Sequence, residues 1–183
     1  RWAIAWLAGA GLFASVAVRA FAGGDVNAFW RTADPGLLGW LAAPAALGKI
    51  AGGAVADRLG WLASTAVALA VAAPLLSAGR ASPGSALLGM LLLQSTMPVT
   101  LKATHRLMPN RPGLAFGLPC SALFLGGMAG VAPIPALHST AGLAVALVAS
   151  AALALWALRV TPRRGPEERD GVLSRAGEAA TEP

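Results

Sequence analysis

The residues that could do chemistry are few, and most stand alone inside long apolar runs. Arg19 and Lys49 each interrupt one such run, and Gln94, Ser95 and Thr96 form a polar cluster inside another, followed by Pro98. A lysine at the centre of a membrane helix costs about 2.5–3.5 kcal/mol on insertion scales, so it must face a cavity, meet an acid or reach the headgroups. Lys49 lies eight residues before Asp57, which is about 12 Å along a helix. The spacing puts Asp25 and Asp34 in a loop and Asp57 at a helix edge, so no acid is expected inside any apolar run. Lys49 is then left to snorkel, to pack under the loop, or to attract an anion or gate a path. Arg19, near the far end of its run, is open to the same readings and can also simply reach the outer headgroups. Other chemistries lack their parts. His105 and His138 are the only histidines and neither has a ligand-like neighbour at metal spacing, and Cys120 is the only cysteine, so no disulfide, metal site or cofactor is expected. No Gly-x-Ser-x-Gly stands inside an apolar run and no cluster of Asp could hold a metal for phosphoryl transfer, so the chain does not read as an enzyme.

The elements that must carry these residues follow from composition. Of 183 residues, 56% are hydrophobic and 12% charged, against about 25% charged in an ordinary soluble domain. That excludes a disordered chain, a coiled coil and a typical soluble enzyme. A bilayer core needs about 20 apolar residues per helix. Six such spans are expected, at about 2–24, 35–56, 59–79, 81–101, 113–134 and 140–159, with a turn at Pro133, Pro135, His138, Ser139 and Thr140. All must be helices, because backbone groups in lipid have to bond internally. The first span is too long, and too well followed by others, to read as a signal peptide. The fold class is therefore all-α and polytopic, with a transmembrane domain over 1–160. Residues 161–183, with four arginines and five acids, read as a disordered charged tail.

Charge sets the expected orientation. With the N-terminus inside, Arg1, Arg58, Lys102, Arg106, Arg111, Arg159, Arg163 and Arg164 face the cytoplasm, against Arg31 and Arg80 outside with Arg19 near them. The positive-inside rule favours that arrangement, with both termini cytoplasmic. The basic residues sit singly between apolar runs, so the net charge of +6 reads as topology and not as a nucleic-acid surface.

The connection between the second and third spans reads Gly53-x-x-x-Asp57-Arg58-x-Gly60. It resembles the cytoplasmic loop signature of the major facilitator superfamily, and it stands after the second helix of a six-helix unit, as in that family. The basic residues that usually follow are replaced by Trp61 and Leu62. The connection between the fourth and fifth spans is similar to the family's basic, Pro- and Gly-containing loop, with Lys102, His105, Arg106, Pro109, Asn110, Arg111, Pro112 and Gly113. The fifth span carries Gly113-x-x-x-Gly117-x-x-x-Ser121 and then Gly126-x-x-x-Gly130, without the Gly-Pro pair that marks many antiporters of the family. Small-residue spacing of this kind, as also in Gly48-x-x-x-Gly52-x-x-x-Ala56, is equally ordinary helix packing.

The resemblance implies one half of a transporter: six helices built as two inverted three-helix repeats, working by alternating access on a small solute in a bacterial cytoplasmic membrane. It implies a cytoplasmic gate from Gly53, Asp57, Arg58, Gly60 and Arg106, with Arg106 paired to Asp57. It implies a substrate path touching Ser15, Lys49, Gln94 and Thr96. Closing a central path takes a second six-helix half, supplied by a second copy or by a missing segment. The alternative is a non-transporting membrane scaffold or a truncated transporter fragment.

Overall fold

The computed structural model describes residues 2–131 and 138–161, so the tail beyond Thr161 and the turn prolines Pro133 and Pro135 lie outside the described residues. Among the described residues seven helical segments follow one another: α1 Trp2–Ala33, α2 Pro35–Leu59, α3 Trp61–Ser77, α4 Pro83–Ser95, α5 Met97–Leu107, α6 Pro112–Val131 and α7 Thr140–Val160. There is no strand among the described residues. Five stretches among the described residues are long and apolar enough to cross a membrane: Trp6–Ala33, Pro35–Leu59, Pro83–Leu107, Pro112–Val131 and Thr140–Val160. The expected third span, α3, is an apolar helix of 17 residues, shorter than the other five. Such a set is compatible with an integral membrane protein.

Local chemistry explains the boundaries. Asp34 caps α2, its carboxylate accepting from the Gly36 amide at 3.0 Å, and Pro35 occupies the first helical position. Ser139 caps α7 in the same way through the Gly142 amide. Gly60 separates α2 from α3 with a φ of 87°, a conformation that a side chain disfavours. The fourth expected span runs on to Leu107 and is interrupted at Thr96, because Pro98 has no amide hydrogen to continue the ladder.

The first span differs most from expectation. The helix does not stop near Gly24 but continues through Asp25 to Ala33. Asp25 is therefore an acid inside a helix and not a loop residue. It can be there because distant side chains neutralise it, as described below.

With α4 and α5 as one interrupted run, successive spans run up and down between two ends. At one end, the Trp61 end, Ala8, Leu12, Ala103 and Ala157 pack with Trp61, Leu107 and Leu158. At the other, the Asp34 end, the indole of Trp30 donates to the Gly79 carbonyl at 3.0 Å. α1 is the central helix, with 56% of its apolar window buried against 18% for α2. It packs on α6 and α7, while α2 packs on α4, and α3 on α4 and α7. Two glycine pairs make the closest approaches. A Cβ on Gly48 or Gly52 would stand 2.2 or 2.0 Å from the carbonyl oxygens of Leu91 and Ser95 on α4. One on Gly126 or Gly130 would stand 2.0 or 2.6 Å from those of Ala17 and Phe21 on α1. Gly113 and Gly117, the earlier members of the α6 series, face open space. Large apolar side chains such as Trp40, Ile50, Phe124 and Val145 are exposed, so the outer surface is apolar.

Candidate functional site

Halfway along the bundle, α1 presents Ser15 and Arg19 one turn apart on one face. Across from them lie Thr96 at the α4–α5 break, Thr100 one turn further on α5, and Ser150 at the middle of α7. All five are buried, Arg19 with only 3% exposure. The Ser15 hydroxyl donates to the Ser150 carbonyl and meets the Ser150 hydroxyl, both at 2.9 Å, while Ser150 donates to the Ser15 carbonyl at 3.0 Å. Arg19 donates from Nε to the Ser15 carbonyl at 3.2 Å, from one terminal nitrogen to Thr100 Oγ1 at 2.9 Å, and from the other to Thr96 Oγ1.

The threonine protons are already used. Thr96 donates to the Leu93 carbonyl at 2.8 Å and Thr100 to the Thr96 carbonyl at 2.9 Å, which leaves their oxygens to accept from Arg19. A guanidinium has five N–H groups, so three are occupied and all by neutral acceptors. The acids among the described residues are Asp25, Asp34 and Asp57, and none forms an ion pair with Arg19. Asp25, six residues on, is about 9 Å along the helix and is bound elsewhere. Removing a cation from water costs several kcal/mol after relaxation, of order 5. Hydroxyl dipoles orient the group and offset part of that cost, but they do not cancel the charge.

Arg19 therefore does not reach the outer headgroups as its position in the sequence suggests. Of the expected path residues, Ser15 and Thr96 come together around it. Gln94 is half-buried two residues before Thr96. Lys49 is exposed on α2, next to Gly48, whose Cβ position faces Leu91 and Gln94, so it lies at nearly the same level of the bundle. Neither Lys49 nor Gln94 joins the Arg19 hydrogen bonds.

A second polar cluster closes the Asp34 end. Asp25, 3% exposed, receives Arg80 Nη2 on both carboxylate oxygens at 2.8 Å and pairs with His138 Nδ1. Arg80 comes from the connection after α3 and also lies over the Phe29 ring, 5.6 Å from its centroid. His138 comes from just before α7 and contacts the Phe21 ring. One buried carboxylate thus ties α1 to two connections.

At the Trp61 end, the direct partner of Asp57 is Lys102, at 2.9 Å, and both side chains are well exposed. Arg106, the expected partner, lies 3.9 Å over the Trp61 ring, a cation–π geometry. It is within electrostatic range of Asp57. The correction has a simple cause. Trp61 offers the guanidinium a flat face, and Lys102, one turn before Arg106, reaches the carboxylate. Asp57, Trp61, Lys102, Arg106 and Arg159 line an open concavity of about 730 Å³. A Cβ on Gly53 would stand 3.7 Å from Pro98, and Arg58 is exposed.

Sequence reasoning missed Thr100, Ser150, Arg80, His138 and Lys102 as partners. One signal was present: Thr96, Thr100 and Thr104 recur every four residues and so share one face of the helix. No group of three His, Cys, Asp or Glu that could hold a metal exists among the described residues. No protein-family model, curated protein or solved structure matches the chain.

Proposed function

We propose that the chain is a six-helix half of a transporter of the major facilitator type, moving a small solute across a membrane by alternating access. The observation that carries this reading is the polar cluster halfway along the bundle. A scaffold gains nothing from burying an arginine and four hydroxyls between α1, the α4–α5 break and α7, whereas a solute path needs polar groups there.

The helix packing supports the architecture. With α3 counted as a span and α4–α5 as one, shifting by three spans exchanges α1 with α4–α5, α2 with α6, and α3 with α7. The glycine-lined contact of α1 with α6 then becomes that of α2 with α4, and the α1–α7 contact becomes the α3–α4 contact. Two inverted three-helix repeats have this property. In this reading the Trp61 end is cytoplasmic, in a bacterial inner membrane. Gly53, Asp57, Arg58 and Gly60 shape the gate with Lys102 and Arg106, and a second half completes the path, as a second copy or a separate segment.

The test is solvent access. In a Cys120→Ser background, Lys49→Cys and Gln94→Cys should react with a membrane-impermeant thiol reagent in vesicles. Ile50→Cys, 75% exposed but turned about 100° from Lys49, should not. If all three stay unreactive, no aqueous path reaches the middle of the bundle and the scaffold reading replaces transport.

A further inference from the structure

We infer that Arg19 is a recognition group for a small oxyanion of carboxylate size, held beside Thr96 and Thr100 halfway along the bundle. The inference rests on the transport reading and narrows its solute class. Three observations lead to it. Arg19 is buried and carries no counter-charge from any described residue. Among the described residues, two of its five N–H groups have no acceptor beyond the three bonds to Ser15, Thr96 and Thr100, and a planar fork with spare donors suits a carboxylate or phosphate oxygen pair. The second cation at this level, Lys49, has no ion-pair partner among the described residues either, so the middle of the bundle carries positive charge that nothing in the described chain cancels.

The threonines sharpen the case. Their hydroxyl protons are held by carbonyls of their own helix, so they can accept from the guanidinium but not donate to an anion. They fix the fork and leave the charge for the ligand. The helix is also interrupted at Thr96, with Pro98 following, so the wall beside Arg19 lacks one rung of its ladder and can bend. A carboxylate on a second polypeptide is the less fitting partner, because the guanidinium lies inside this bundle and not on its surface.

The experiment uses the purified full chain in mild detergent at fixed ionic strength. Thermal unfolding is followed by tryptophan fluorescence while sodium acetate, sodium succinate or inorganic phosphate is added, with acetamide as the neutral control. At least one of the anions should raise the melting temperature saturably, and acetamide should not. Arg19→Met should abolish the shift, Arg19→Lys should weaken the apparent affinity at least about tenfold through loss of the fork, and Arg31→Gln, at the Asp34 end, should keep it. The inference is overturned if no anion gives a saturable shift, or if the shift survives in Arg19→Met. It is also overturned if Arg19→Met instead splits a dimer seen by light scattering, which would assign the charge to a partner's acid. Flux in proteoliposomes separates the two readings. Arg19-dependent binding without flux keeps the oxyanion site and removes transport. Flux of a neutral solute that Arg19→Met leaves intact keeps transport and removes the oxyanion site.

Discussion

Arg19 and Asp25 are buried to the same degree on the same helix, six residues apart, yet they are held in opposite ways. Asp25 is met by a guanidinium on both oxygens and by an imidazole, drawn from two different connections. Arg19 is met by two hydroxyls and a carbonyl. The first arrangement cancels a charge and closes one end of the bundle. The second orients a charge that no described residue cancels. Burial alone does not separate the two groups; the identity of the partners does.

The largest effect expected is at the closed cluster. Asp25→Ala leaves Arg80 and His138 without their shared carboxylate and should lower unfolding free energy by about 3 kcal/mol, the low end for a broken buried pair because Arg80 is partly exposed. An unfolding titration from mild detergent into dodecyl sulfate would measure it. A negligible loss would make the two clusters equivalent and break the comparison. Gly126→Val acts between them, forcing a side chain against the Ala17 carbonyl. It should cost about 2 kcal/mol by overpacking, while Gly117→Val, facing open space, should cost far less; the same titration reads both. Trp30→Phe removes the indole bond to Gly79 and tests whether the Asp34 end depends on Asp25 alone. A loss of about 1 kcal/mol is expected, with faster amide exchange in the Gly79 connection. Ser150→Ala, in the open cluster, should cost only about 0.6 kcal/mol, the mean for hydrogen bonds between membrane helices.

The same contrast shows what could be read from sequence. Local patterns were legible: the glycine turn at Gly60 and the small-residue spacing at Gly48, Gly52, Gly126 and Gly130 that turns out to set helix contacts. Ser15 and Thr96 were named as path residues, and the structure joins them through Arg19. Asp25 was not legible, because its partners are 55 and 113 residues away and only the packed helices bring them near. An acid next to a glycine pair in an apolar run reads as the start of a loop, and here α1 continues through it. Lys102 was missed for a related reason. Two basic residues one turn apart both face Asp57, and the Trp61 ring decides which of them reaches the carboxylate.

The account stands on Arg19 having no counter-charge among the described residues, and paired unfolding titrations of Arg19→Met and Asp25→Ala test that most directly. Methionine is apolar and of similar length, and Thr96 and Thr100 keep their own carbonyl acceptors when the guanidinium is gone. Replacing an uncancelled buried charge by an apolar side chain should leave stability unchanged or raise it, while Asp25→Ala lowers it. A loss in Arg19→Met as large as that in Asp25→Ala would contradict the account and make Arg19 another closure of the fold.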